Sequence, residues 1–568
     1  MKEKVKKVFH FLKKRVRLSV IIITLLFGLL LFIGSYSYAF YTISTEKENV
    51  LSLAAVRFNY VLNEQYENEM TLSFTEQEIS EFSISIQANN LLASSWQLYY
   101  VDPNSTDIAV YYQEEGSFPY GNIDPNGNVT VTLVIQNRSG KSGNLTIGVQ
   151  GGLVDKELIL SPNRIRIDDA IYQDESGANV PKLVDGMIPV TYNGTNWVKA
   201  DIVNKWYDYN SQEWANTVTV TETNRSAYMS AEAGTIIPMS DINTMWVWIP
   251  RYEYMYTNLG TQYAGGTQDR PGEIKVNFLK GTSTNPSDTK NYKVHPAFTF
   301  GGTELSGIWV GKFETAGTLA SACTNESCDI SNIVIKPNVK ILNYQNVSTY
   351  FYSARSMQMN SSNPYGFRST SGNVHMSKNS EWSAIAYLSQ SRYGKYGNSI
   401  YTGADKEIAI NNCSNYITGI GGDTVSALPS STSCTTNTYT TAKGQAASTT
   451  GNITGIYDIS GAGAETVMGN YNNLIGSFGF STMPETQYYD LYTTTNLSTA
   501  CNGGVCYGHA LSETSTWYKD ASVFISSSNP WIVRGGGVTT TSPGMGAFYI
   551  SHNAGPGKGG SSRIVVTP

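Results

Sequence analysis

The sequence predicts a mainly β, multidomain protein carrying a membrane-spanning helix at its N terminus. Three observations lead there. Only 15% of the 568 residues are charged, while Tyr occurs 38 times and Gly 52 times, a balance of strand-forming aromatics and turn formers suited to exported β-rich domains. Residues 18–43 carry no charge and follow a flank with eight Lys or Arg and one Glu. The six cysteines fall in three near-neighbour pairs, as in chains that form disulfides outside the cytoplasm. A net charge of −6 gives no reason to expect nucleic acid as a partner.

Residues 1–17 form a basic segment expected on the cytoplasmic side. Residues 18–43 are long enough for an apolar helix to cross a bilayer core of about 30 Å, which takes about 20 residues. The competing reading is a secretory signal, because Ser37-Tyr38-Ala39 has the small-x-small form of a cleavage site. Both readings export the remainder. The anchor reading gives a single-pass cell-membrane protein with its N terminus in the cytoplasm and its bulk extracellular.

Residues 46–170 read as a β-sandwich. SWQLYYV, IAVYY, NVTVTLVIQN and NLTIGVQGGL are short β-branched and aromatic runs bounded by turns such as DPNGN. Residues 171–240 read as a small β module or linker, with an NGTN turn and four clustered aromatics, Trp197, Trp206, Tyr207 and Trp214. These four suit either a carbohydrate-stacking face or a small aromatic core. Residues 241–568 read as a larger α+β domain, opening with MWVWIPRYEY and GIWVGKFET as buried strands. VSTYFYSARSMQMN and SKNSEWSAIAYLSQSRYG are its two helix candidates. The pairs Cys323 and Cys328, Cys413 and Cys434, and Cys501 and Cys506 are the disulfide candidates.

Four segments of the last region, in order, resemble the formylglycine-generating enzyme (sulfatase-modifying factor) family, a branch of the C-type-lectin-like folds. VWIPRYEY with GIWVGKFETAG resembles its opening strands. MSKNSEWSAIAY matches at Glu381, Trp382 and Ala386, and GIYDISGAGAETV at Gly455, Tyr457, Asp458, Ser460, Gly461 and Glu465. WIVRGGG with SSRIVVTP matches at Arg534, Gly535, Gly536 and Arg563. The resemblance implies a C-type-lectin-like fold over about 240–568 in a membrane-anchored bacterial surface or prophage-type protein.

Glu381, Trp382, Asp458, Glu465, Arg534, Gly535, Gly536 and Arg563 are expected as scaffold, with Arg534 and Glu381 the sort of pair that ties a sheet to a helix. The family's catalysis rests on two copper-binding cysteines between the R-G-G and the final Arg. Residues 537–562 contain no Cys, so soft thiolate ligands are missing there. Asp458 and Glu465 remain as oxygen donors for calcium, against the competing reading as turn stabilisers. No cofactor, no catalytic residue and no other metal site is expected, since the five histidines show no ligand spacing.

The charge-poor segment between Arg534 and Arg563 reads as a display loop, with Phe548, Tyr549, His552 and Asn553 as candidate ligand-binding residues for an extracellular protein or glycan. The function expected is an exported, surface-anchored binding or adhesion protein carrying a non-catalytic domain of this type. One alternative is a divergent oxidase on the same scaffold using Cys501 and Cys506 as a redox pair. Another is a structural surface or pilus-associated subunit pairing through its strand edges.

Overall fold

The computed structural model describes residues 2–46, 58–74, 79–101, 108–112, 119–137, 143–154, 158, 160, 164–167, 174–202, 204–229, 231–255, 266–368, 372–422, 434–500, 506–537, 545–552, 554–557 and 559–568. They fall into two units, Met1–Asp169 and Ala170–Pro568, and most of the regular structure is β.

The first unit begins with the helix Lys2–Glu46. Among the described residues no helix is long and apolar enough to cross a membrane. Side chains at several positions of this helix, including all of 32–46, lie outside the described residues. The span expected at 18–43 therefore draws no support from the structure.

After the helix, alternation does the folding. In Ile79–Ala88, Ile84, Ile86 and Ala88 point inward while Ser83 and Gln87 face solvent. That strand lies in a five-stranded antiparallel sheet in the order Tyr66–Glu67, Tyr60–Leu62, Ile79–Ala88, Asn128–Asn137, Ile108–Tyr112. A second sheet runs Ile165–Arg166, Ser94–Val101, Gly143–Leu153, Glu69–Phe74, with Tyr120–Ile123 also on Ser94–Val101. Leu98 and Ile147 of the second sheet share one buried cluster with Ile84 and Ile86 of the first, so the sheets pack face to face.

The second unit is organised on a seven-stranded antiparallel sheet. Its order is Trp197–Lys199, Ile188–Tyr192, Asn216–Val220, Ile242–Pro250, Gly307–Gly311, Ile564–Thr567, Asn373–Met376. The first three strands come from the stretch expected to be a separate module at 171–240, so that boundary is corrected. Asn216–Val220 hydrogen-bonds along Ile242–Pro250, and a strand with both neighbours in the larger sheet has no core of its own.

Trp197, Trp206, Tyr207 and Trp214 are all buried in this unit, which excludes an exposed stacking face. Lys312 ties the same region down from beneath. Its fully buried ammonium donates to Asn216 Oδ1 at 2.8 Å, Ile453 O at 2.7 Å and Gly455 O at 2.8 Å, one acceptor for each N–H.

Both helix candidates form, as Val347–Met359 and Asn379–Ser389. A smaller sheet carries Asp490–Tyr492, Ala464–Tyr471, Trp531–Arg534 and Ile550–Ser551, with Gly560–Ser562 also on Ala464–Tyr471. The chain passes from Gly560–Ser562 straight into Ile564–Thr567, so Arg563 lies where the two sheets meet.

Candidate functional site

Register places the charged core. Glu465 sits opposite Arg534 on one side and Ser561 on the other, which brings its carboxylate to Arg563. Arg563 donates through Nε to Glu465 Oε2 at 3.0 Å and through Nη2 to Glu465 Oε1. It also donates to Gly311 O at 2.7 Å and Tyr457 O at 2.9 Å. Four N–H groups of the guanidinium are thereby paired, two of them in the fork on Glu465.

Two further carboxyls face the same region. Asp458 accepts from Asn411 Nδ2 at 2.8 Å and Gly419 N at 2.9 Å, and Glu314 accepts from Gly463 N at 3.1 Å. Burial pushes Asp458 up to about 6 against the opposing pull of Asn411, Gly419 and Arg563. It raises Glu314 well above its ordinary value, with Glu465 and Asp458 adding to the effect. Asp458 itself lies in the left-handed region at φ 60°, and at Gly461, φ 87°, a Cβ would strike Asn411 O. Asp458 and Glu465 are thus committed to backbone and to Arg563, and among the described residues no three His, Cys, Asp or Glu side chains converge to hold a metal.

Glu381 and Arg534 do not form the pair expected of them. Glu381 caps its own helix, accepting Lys378 N at 2.8 Å, and meets His375 Nε2 at 3.1 Å. Burial alone would raise its carboxyl, but His375 and Lys378 hold it below its ordinary value. Arg534 instead donates through Nη2 to Ala510 O at 3.1 Å, and its Nε and Nη1 are buried without a partner among the described residues. Burial lowers it to about 10. The glycines after it serve as expected: at Gly535, φ 73°, a Cβ would fall 2.9 Å from Trp382 Cη2.

The tail residues separate into core and surface. Phe548, expected on a display loop, is only 3% exposed and packs on Trp517 and Tyr518 with ring centroids 5.1 and 6.1 Å away. It is a core residue, because Asp520 reels its backbone inward: Gly546 N donates to Asp520 Oδ1 at 2.6 Å and Phe548 N to Oδ2 at 3.0 Å. Glu407 lies against the same spot, since a Cβ on Gly546 would be 3.0 Å from Asp520 Oδ2 and 3.1 Å from Glu407 Oε1. Burial, with Asp520 adding to it, pushes Glu407 up to about 9; burial raises Asp520 to about 7 against its two N–H donors. Burial and mutual repulsion thus hold both carboxyls of the pair above their ordinary range. Tyr549 and His552 are half-buried, and Asn553 lies outside the described residues.

Cys323–Cys328 and Cys413–Cys434 are disulfides. Cys506 is also disulfide-bonded and is 1% exposed, while Cys501 lies outside the described residues.

What sequence reasoning missed is an open cleft of about 760 Å³ between the turn at Gly301–Gly302 and the segment 485–490, with Lys378 and Asp490 in its wall. Ser380 N and Oγ donate to Asp490 at 2.6 and 3.1 Å, fixing that carboxylate over the start of the helix Asn379–Ser389. Behind it, His509 Nδ1 is 2.7 Å from Tyr492 Oη, and burial lowers the imidazole's pKa despite Asp490 nearby. The available signal was Asp490 itself, an acid inside the apolar run YYDLY.

No protein-family model matches the chain, and no curated protein matches it at a significant level.

Proposed function

We propose that this protein is an exported, surface-anchored binding or adhesion protein, its second unit a non-catalytic domain of formylglycine-generating-enzyme type. In this reading the helix Lys2–Glu46 anchors the chain in the cell membrane through residues 18–43, and the two units stand outside the cell. The observation that carries the reading is how the matched side chains are used. Glu381, Glu465, Arg534 and Arg563 are fully buried, and their contacts run to backbone, to one another or to neighbouring core side chains. Charged groups spent on scaffold leave the open polar cleft as the place where this unit meets a ligand. The absence of Cys from 537–562 supports the non-catalytic part of the proposal, since copper chemistry of the family's kind needs thiolates there.

The test is a copper-supplied assay of cysteine-to-formylglycine conversion on a sulfatase-type peptide, run beside adhesion of the solubilised chain to cell surfaces. Saturable adhesion without turnover is expected. Robust turnover overturns the reading.

A further inference from the structure

Lys378 is an unusual wall for a cleft. Its side chain is 7% exposed, yet its ammonium spends its three donors thinly, on Thr299 O at 3.4 Å and beside Glu381 Oε1 at 3.9 Å. Buried cations normally saturate their donors, as Lys312 does. In the same lining Asp490 accepts one bond on each oxygen from Ser380, with His509 Nδ1 3.8 Å from its Oδ2, which leaves further lone pairs on the carboxylate. Glu485, Gln487 and Thr486 complete the polar rim, and at Gly301, φ 56°, a side chain would collide with Gln487, so turn and rim are packed together.

We infer that this cleft binds a neutral saccharide, its hydroxyls bridging the Lys378 ammonium and the Asp490 carboxylate. The inference rests on the binding-protein reading above and gives it a site and a ligand class. Charge decides among ligand types. Among the described residues Lys378 is the one cation of the lining, Asp490 and Glu485 are both acids, and Glu381 stands behind Lys378, so an anionic ligand meets net repulsion. A bare metal ion finds no converging set of three ligating side chains among the described residues. A hydroxyl both donates and accepts, so vicinal hydroxyls satisfy the spare lone pairs of Asp490 and the spare donors of Lys378 without bringing charge. About 760 Å³ is ligand-sized, within the roughly 300–1,000 Å³ of small-molecule sites.

The experiment titrates the solubilised full chain with neutral oligosaccharides (chitobiose, cellobiose, a mannotriose) and with trigalacturonic acid as the anionic control, reading ligand-observed NMR. Variants Lys378→Met, Asp490→Asn and the exposed Glu485→Gln are compared at matched thermal midpoints. The proposal expects saturable binding of a neutral sugar, weakened tenfold or more by Lys378→Met or Asp490→Asn and severalfold by Glu485→Gln. Glu485→Gln, at an exposed residue, keeps the test valid should the substitutions at Lys378 or Asp490 impair folding. Binding of the anionic sugar alone, or no neutral sugar bound at millimolar concentration, overturns the proposal. So does neutral-sugar binding indifferent to all three substitutions. In each of these cases surface adhesion that persists leaves the broader reading standing, whereas loss of adhesion with peptide turnover would sink that reading itself.

Discussion

Arg563→Met removes the one cation ion-paired with Glu465 among the described residues and leaves the volume nearly filled. Four hydrogen bonds disappear, two to Glu465 and one each to Gly311 O and Tyr457 O. A carboxylate stranded in the interior costs about 3 to 5 kcal/mol, and each abandoned carbonyl adds about 1 kcal/mol. Against a total stability of roughly 5 to 15 kcal/mol for a domain, this variant stands near the edge of folding at neutral pH. Urea unfolding followed by tryptophan fluorescence measures it cleanly, because every Trp except Trp96 lies in the second unit. Two controls identify the cause. The double variant Arg563→Met with Glu465→Met is expected to regain at least about 2 kcal/mol over the single one, since the stranded charge is gone. Lowering the pH from 7 to 5 is expected to shrink the single variant's deficit as Glu465 takes up a proton. A cost below about 1 kcal/mol, or a double variant no better than the single, would refute the account of Arg563 as the counter-charge of this core.

Glu513 gives a pH prediction: burial raises it from 4.5 to about 7 against donors from Tyr387, Tyr254 and Gly508. Between those values the folded state holds a proton that the unfolded state has lost, so this stabilisation is complete below about 4.5 and gone above about 7. At about 1.4 kcal/mol per unit, Glu513→Gln should gain about 3 kcal/mol on the wild type as pH climbs through that window, and parallel stability curves would contradict it. Arg534→Ala should cost about 2 to 4 kcal/mol, because it removes a fully buried side chain and its bond to Ala510 O and leaves a cavity, whereas Tyr549→Ala should cost no more than about 1 kcal/mol in thermal unfolding. The reverse ranking would mean the tail, not Arg534, is core. Replacing Cys413 and Cys434 by Ser opens a loop of sequence separation 21 and should lower stability by about 3 kcal/mol in calorimetry.

Local patterns were legible and distant ones were not. The inward alternation at Ile84, Ile86 and Ala88 and the two long helices could be read because their periods repeat within a few residues. The helix Glu222–Met229 gave no signal, since it buries none of its side chains and so has no apolar stripe. Phe548 misled for a different reason: it sits in a Gly- and Ser-rich, charge-poor run, and what draws its backbone inward is Asp520, a charged residue that composition places on a surface. Strands at 188–220 looked like a separate module because their partner at 242–250 has no local mark of kinship. Of the cleft, Lys378 and Asp490 are set by a helix start and a strand more than a hundred residues apart, a distance that no spacing rule spans.

The strand Ile564–Thr567 lies inside the large sheet, between Gly307–Gly311 and Asn373–Met376. A growing chain that has not reached these residues has two open strand edges facing one another and a buried Glu465 still waiting for Arg563. Assembly must therefore idle until residues 563–567 arrive, and pairing Trp309 with Val566 makes that closing step a slow, long-range one. A product cut short by a few residues is left with sticky edges rather than a slightly weakened domain. The large sheet thus hangs on one late strand: without Ile564–Thr567, Gly307–Gly311 and Asn373–Met376 share no ladder.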